Sequence, residues 1–450
     1  MRTVQGVALD GFRARVRALA GRTGTPVRRA PAGALRPAGP TAGPAPAGLR
    51  GSVRESLPRA LSLVRDLVPA RDRRRARART PHASAADLRA LRDRRGDAPV
   101  LVRARSGRLL LVLLAPGDLS RFYAEPLSVL GADRPPPAGA GCAHAEPGGD
   151  QPGTEAQVLA AADAVHPACG TFLAAVAEEA RHLTACATLD LARTRYAVGR
   201  AARRIVLGDA AAADAELADW LGQSRARGAA RAAHRIREYA RHAGPGTLLG
   251  QAARNPDPSA ADPAGQARQW LLAMDALPAT LLRTLLLLGA HPAEQDAAAA
   301  EAAGDPARGE LRRLRACVRE SLRLYPVVPD LIRTTHTETR WRGVPYPAGT
   351  SVLLPAAFHQ RDPERVPAAH AFVPGRWKNP DAERDLRMAP FGHGEGRCPG
   401  AELGLLVTAA FCAEVLRGHR VGRSRPVLDP VGPLPAHLDP DAVRLTLVRR

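Results

Sequence analysis

Lysine, isoleucine and asparagine are almost missing from this chain of 450 residues. The one lysine is Lys378, and arginine supplies 64 of the 65 basic residues. Isoleucine occurs only as Ile205, Ile236 and Ile332, and asparagine only as Asn255 and Asn379. Alanine, glycine and proline abound instead, which is the signature of GC-rich coding. The formal charge of +21 is therefore mostly a compositional drift. A nucleic-acid footprint needs cations gathered on one stripe, and here they are spread along the chain. No specific nucleic-acid binding is expected; a basic surface that steers an acidic protein partner fits better.

Cysteine is scarce as well. The six are Cys142, Cys169, Cys186, Cys317, Cys398 and Cys412, with no C-x-x-C pair. That pattern fits neither a disulfide framework nor a zinc site, and a reducing cytoplasm is the expected compartment. No secretory signal is evident: the first 30 residues carry seven arginines and no apolar h-region. The longest apolar stretch, Trp270 to Ala290, is interrupted by Asp275, Pro278 and Arg283. It reads as a buried helix, and no membrane span is expected.

What is present points to a mainly α chain with small β-sheets. Residues 1–55 read as a disordered, basic Pro/Ala/Gly-rich tail. Residues 56–80 have apolar positions at helical spacing followed by an arginine run, a basic amphipathic pattern. A helix from about Ala85 leads into a hairpin around Ser106-Gly107, and residues 132–153 read as a long loop. From about 155 to 325 the period is helical, with breaks at Gly208, Gly244-Pro-Gly246 and Asn255-Pro-Asp-Pro258. A hairpin around Trp341-Arg-Gly-Val344, a helix over about 401–418 and a last strand over 443–448 complete the pattern. Residues 56–450 are expected to form a single domain.

The stretch that carries chemistry is Pro390-Phe-Gly-His-Gly-Glu-Gly-Arg-Cys-Pro-Gly400. Its glycines allow backbone to approach a flat, bulky object. A helix starts just after Cys398, and its first amides favour a thiolate. Phe391 is placed to cover the far side of the sulfur. A deprotonated, backbone-supported, water-shielded cysteine is what ligation of haem iron requires.

This loop resembles the haem-binding signature of the cytochrome P-450 superfamily, Phe-x-x-Gly-x-Arg-x-Cys-x-Gly. Phe391, Gly394, Cys398 and Gly400 match, while Gly396 stands where the family has arginine and Arg397 follows one place later. The resemblance extends to Glu320-Ser-Leu-Arg323, which is similar to the family's Glu-x-x-Arg, and to Phe372-Val-Pro-Gly-Arg-Trp377, which is similar to Phe-x-Pro-x-Arg-Trp. It implies a buried Glu320–Arg323–Arg376 network. Phe358-His-Gln-Arg-Asp-Pro363 resembles the family's His-Arg-Asp-Pro stretch. The family's Ala-Gly-x-(Asp/Glu)-Thr appears here as Ala276-Leu-Pro-Ala-Thr280, so the glycine is Leu277 and the acid is Ala279. The family's early Trp-x-x-x-Arg helix has no counterpart.

The resemblance implies a triangular helical prism around haem b. Cys398 would be the axial ligand to iron. Phe391, Gly392, His393, Gly394, Arg397, Gly400 and Arg333 would line the cofactor, with Arg333 on a propionate and His393 or Arg397 replacing the lost loop arginine. Thr280, Ala276 and Asp275 would serve oxygen activation. Pro278 is expected to kink their helix.

The function implied is that of a soluble bacterial monooxygenase, monomeric and cytoplasmic, acting on a small or medium organic substrate. Electrons would come from a ferredoxin and an NAD(P)H-dependent ferredoxin reductase, since no flavin or nicotinamide motif is present. Loss of the acid and the glycine at 279 and 277 leaves two alternatives open. One is peroxide-driven or non-monooxygenase haem-thiolate chemistry; the other is a haem-binding protein with little or no turnover.

Overall fold

The computed structural model describes residues 81–96, 98–103, 109–131, 169–222, 226–254, 263–304 and 310–450. The expected tail over 1–55, the amphipathic pattern over 56–80 and the loop over 132–153 lie outside them.

The chain enters through α1 (Pro81–Arg95), then β1 (Val100–Arg103), β2 (Leu109–Val112), α2 (Gly117–Ala124) and β3 (Leu130–Gly131). A helical stretch follows: α3 (Cys169–Thr184), the short β4 (Thr188–Leu189), α4 (Leu191–Leu207), α5 (Ala215–Gly222), α6 (Ala226–Ala240), α7 (Leu248–Arg254), α8 (Pro263–Met274), α9 (Leu277–Ala290), α10 (Pro292–Ala302) and α11 (Arg312–Leu324). The last part holds β5 (Leu331–Thr335), β6 (Thr339–Trp341), β7 (Val344–Tyr346), β8 (Ser351–Leu354), α12 (Ala356–Gln360), α13 (Ala401–Gly418), β9 (His419–Arg425) and β10 (Arg444–Arg449). The mainly α reading with small sheets holds.

Local chemistry sets these ends. The Asp190 carboxylate caps α4 by accepting from the Arg193 amide at 2.9 Å. Gly208 closes the same helix at φ +106°, a value that suits glycine. Prolines 278 and 292 stand in the first turns of α9 and α10, where their missing N–H costs nothing. The hairpin β6–β7 turns on Arg342 and Gly343, both at positive φ, as a tight two-residue turn requires.

Five strands form one sheet in the order β1-β2-β8-β5-β3. The β2–β8 pair is parallel and the rest antiparallel, with Arg333 of β5 opposite Val352 of β8. A three-stranded sheet, β4-β10-β9, closes the far side. One face of the larger sheet packs Leu111, Leu113 and Val352 on Phe122 and Trp341; the other packs Leu110, Val112 and Leu353 on Leu88 and Leu91.

The main core surrounds α9 and α13. Thr280, Leu281, Leu282, Thr284 and Leu285 to Leu288 are all buried, so α9 is apolar nearly all round, the mark of a central helix. Gly289 is needed there because a Cβ would stand 2.5 Å from the Val421 side chain of β9. Two segments, Ala264–Ala290 and Gly394–Gly418, are long and apolar enough to cross a membrane, and the apolar 18-residue window in each is 61% and 72% buried inside the chain. Both are core helices of this fold.

Candidate functional site

Cys398 lies in the turn just ahead of α13. Its amide donates to the Phe391 carbonyl at 2.9 Å, closing the loop on itself, and its carbonyl accepts from Ala401 at the start of the helix. Gly392 and Gly394 sit at φ +71° and +66°. A Cβ on Gly394 would collide with the Tyr123 carbonyl of α2, so only glycine lets these backbones meet. The Glu395 carboxylate accepts from the Leu127 amide at 3.0 Å and adds a second tie to the same region. The loop is thus held by its own backbone and by the α2–β3 segment.

Among the described cysteines, Cys398 is the exposed one; Cys169, Cys317 and Cys412 are buried. Burial pushes the Cys317 thiol up to about 12, and Cys169 and Cys412 upward too, so these three remain neutral core groups. Phe391 is partly buried and packs against the main core.

Around the loop stand several of the expected cofactor residues. His393 lies edge-on to Tyr123, ring centroids 5.5 Å apart. Burial, and then the Arg397 charge, lower its pKa and keep the imidazole neutral. Tyr123 is buried, which raises its phenol pKa, and the nearby Arg333 guanidinium opposes that shift. Arg333 is itself buried; it donates to the Phe122 carbonyl at 2.7 Å and lies 4.5 Å above the Phe122 ring. Arg397 is exposed and stands 3.6 Å from Glu402 in the first turn of α13. Arg315 and Arg319 reach the same carboxylate at 3.0 and 3.3 Å. Beside the loop is a cavity of about 60 Å³ bordered by Arg319, Trp377, Phe391, His393, Arg397 and Glu402.

Below α13 the three residues Glu320, Arg323 and Arg376 meet. Arg323 donates to both Glu320 oxygens at 2.9 and 2.8 Å, and Arg376 to one of them at 3.1 Å. Trp377 Nε1 and the Val373 amide complete the shell at 2.9 and 3.0 Å. The rest of the Arg323 guanidinium donates to the carbonyls of Gln360, Ala369 and Ala371. Both charges are buried with every lone pair and proton matched, the condition under which such a pair is tolerated. The 358–363 stretch is likewise structural. His359 bonds the Leu113 carbonyl, and Asp362 pairs with Arg92.

The segment 275–280 is arranged differently. The helical run breaks after Met274, and Asp275 and Ala276 form a turn before α9 begins at Leu277. Pro278, two residues into α9, has no N–H to continue the preceding helix, which is the expected kink in a stronger form. The Thr280 hydroxyl donates back to the Ala276 carbonyl at 3.2 Å. Asp275 is exposed by area, yet surrounding protein raises its carboxyl pKa, against the pull of Arg195. Leu277, in the family's glycine position, reaches α13: its Cδ2 stands 3.6 Å from where a Cβ would sit on Gly404.

Sequence reasoning missed Tyr123 and Glu402. Neither lies in a motif, and both are brought to the loop by elements distant in the chain. Glu402 had one local sign, an acid in the first turn of a helix.

Comparisons with known proteins agree with this geometry. The cytochrome P450 family model matches residues 273–430. A cyclooctat-9-en-7-ol 5-monooxygenase of Streptomyces melanosporofaciens is 36% identical over 158 residues, 33% of this chain and 34% of that protein. A (+)-vincadifformine 19-hydroxylase of Catharanthus roseus is 35% identical over 100 residues, 21% of this chain and 20% of that one. The matched stretches thus span about a third or less of these relatives. The structure of a retinoic acid-bound cyanobacterial CYP120A1 superposes with a TM-score of 0.62 over 82% of this chain and 96% of that one, at 16% identity. The superposition shows a shared fold. The stretch 273–430, which holds the cysteine loop and α13, matches the cytochrome P450 family, whose members bind haem b.

The residues present fit that group. Among the described cysteines the one exposed sulfur-bearing residue, Cys398, stands at the amino end of an 18-residue helix, where backbone amides favour negative charge. Glycines at 392, 394, 400 and 404 leave four positions of the loop and the start of α13 without a side chain. No cluster of His, Cys, Asp and Glu among the described residues offers a competing metal site.

Proposed function

We propose that this chain is a haem-thiolate monooxygenase that inserts one oxygen atom from dioxygen into a small or medium organic substrate. The observation that carries it is the placement of Cys398: exposed, in a glycine-built turn, ahead of α13, inside the segment that matches the family. The two relatives named above are called a monooxygenase and a hydroxylase, which supports the reading. Cys398 would hold the iron, and Arg333, His393 and Arg397 are the nearby groups suited to the propionates. Haem supplies the redox chemistry when bound, and a thiolate ligand favours cleavage of the O–O bond. The chain's own part is to hold the sulfur, exclude water and deliver protons.

Electron supply from an acidic ferredoxin and its reductase is supported by the arginines gathered around Glu402 beside the loop, since such a face steers an acidic partner. A cytoplasmic location is supported by the buried, unbridged thiols of Cys169, Cys317 and Cys412.

A peroxide-driven reaction is the second reading. It is favoured by the Thr280 hydroxyl being engaged with the Ala276 carbonyl and by Ala279 standing where the family's acid would be. Peroxide already carries two electrons and two protons, so it needs less of that relay.

The test is the spectrum of the reduced, carbon-monoxide-bound protein. A red-shifted Soret band that vanishes in Cys398→Ala supports the ligand assignment, and failure to take up haem overturns it. Turnover with ferredoxin, reductase and NAD(P)H but not with peroxide favours the first reading; the reverse favours the second. A bound haem with neither turnover leaves a binding protein.

A further inference from the structure

Many exposed arginines of this chain face an acid. Arg235 pairs with Glu238, Arg312 with Glu310, Arg384 with Asp381 and Arg417 with Glu414. The small sheet β4-β10-β9 breaks that habit. Its inner face is apolar, with Val421, Leu445 and Leu447 buried in the main core. Directly opposed residues of two strands share a face. Val421 stands opposite Leu447, so both point inward. Arg420 stands opposite Val448, Arg423 opposite Thr446 and Arg425 opposite Arg444, and these point outward. The register shifts between Thr446 and Leu447, which makes Gly422 an extra residue in β9. That bulge is what lets Arg420, Arg423 and Arg425 share the outer face.

All four arginines are exposed, and among the described residues no carboxylate pairs with them. Arg425 and Arg444 stand directly opposite each other, an arrangement in which like charges repel. An anion bound between them removes the repulsion. Arginine forks suit phosphate oxygens in particular.

Aliphatic side chains accompany the cations. Val448 is exposed on the same face and spreads over Gly422, where a Cβ would come 2.7 Å from its Cγ2. β9 runs directly into the loop 426–435. Leu428 and Leu434 anchor that loop in the main core, yet Val427 and Val431 are 86% and 94% exposed, more than any other large apolar side chain among the described residues. Val427 follows Arg425 by two residues, at most about 7 Å of chain. Asp429, between the valines, accepts from the Val431 amide and so closes its own turn.

The four arginines and their strand partners include no aromatic ring, so this face offers no stacking platform for bases. Guanidiniums with bare aliphatic tips beside them match the interface of an anionic bilayer, where phosphates meet acyl chains. The surface is separate from the cysteine loop. The 18 residues of α13 lie between Cys398 and β9, a length of about 27 Å.

We propose that the outer face of β9 and β10, with the loop that follows β9, docks the protein on anionic phospholipid. Arg420, Arg423, Arg425 and Arg444 meet head-group phosphates, and Val427 and Val431 enter the acyl boundary. The proposal does not depend on the haem chemistry.

Flotation of the full-length protein with phosphatidylcholine vesicles, with and without phosphatidylglycerol, tests it. Binding should require phosphatidylglycerol. Arg423→Gln combined with Arg425→Gln should weaken it about tenfold or more. Val427→Ser combined with Val431→Ser should weaken it severalfold at unchanged net charge. Arg312→Gln combined with Arg384→Gln removes the same charge elsewhere and should leave binding nearly unchanged. All six side chains are exposed, so the unfolding midpoints should hardly move. Absence of binding, or equal binding to both vesicles, overturns the proposal. So does an equal loss in the Arg312/Arg384 control, which marks a net-charge effect. Indifference to the valine changes also overturns it and assigns the face to an acidic protein or polyanion.

Discussion

The cysteine loop with the helices beneath it and the segment 275–280 above it are built to different standards. Below, backbone and charge hold each part from several sides. Cys398 is tied to Phe391, Gly394 lies against Tyr123, and Glu402 collects three arginines. Glu320 collects two arginines, an indole and an amide. Above, Asp275 and Ala276 are held by turn hydrogen bonds of 3.3 Å, and the Thr280 hydroxyl bonds only within its own turn. A ligand to a metal must be fixed, whereas residues facing substrate and oxygen can vary with the chemistry, and the two regions divide along that line.

The largest expected effect tests the lower region. Glu320→Ala leaves the buried Arg323 and the partly buried Arg376 without their anion, and such a loss costs about 3–5 kcal/mol. Denaturant unfolding of the wild type and variant measures it. Glu320→Gln keeps the shape and some hydrogen bonds and should cost less. A loss below about 1 kcal/mol would show that the lower region is no better anchored than the upper one.

The lower region was also the part legible in sequence, for the same physical reason. A loop that needs glycine at fixed places and a pair that needs i, i+3 spacing leave patterns in the chain, as at Gly392, Gly394, Glu320 and Arg323. The helix break at 275–276 could be read from Pro278 alone. Tyr123 and Glu402 could not. Their roles come from what tertiary packing sets beside them, and nothing near them in sequence marks it.

A pH effect of intermediate size should also come from the lower region. Burial, only partly offset by its bond to Leu113 and by Asp362, holds His359 at about 4 in the folded chain, below its usual 6.5. The unfolded chain therefore binds the extra proton between these values, so stability is full above about pH 6.5 and falls as pH drops toward 4. The loss amounts to about 3 kcal/mol at most. Unfolding free energy measured across this window should show the slope, and His359→Gln, which can still donate to the Leu113 carbonyl, should flatten it. An unchanged slope in that variant would assign the acid sensitivity to other groups.

The smallest effect on stability, and the sharpest test of the upper region, is expected at Leu277. Its side chain is only partly buried, and it leans across to Gly404 on the helix that follows Cys398. Shortening it in Leu277→Ala removes some apolar contact, worth about 1 kcal/mol in a half-buried position. The same change widens the gap between the start of α9 and α13, where a flat cofactor held by Cys398 must fit. Haem uptake by the purified apoprotein, followed by Soret absorbance and tryptophan fluorescence, should therefore become severalfold faster while the unfolding midpoint hardly moves. Should Leu277→Ala cost several kcal/mol instead, Leu277 would be an anchor of the same standing as Glu320. The segment above the cysteine would then be as rigidly specified as the loop below it.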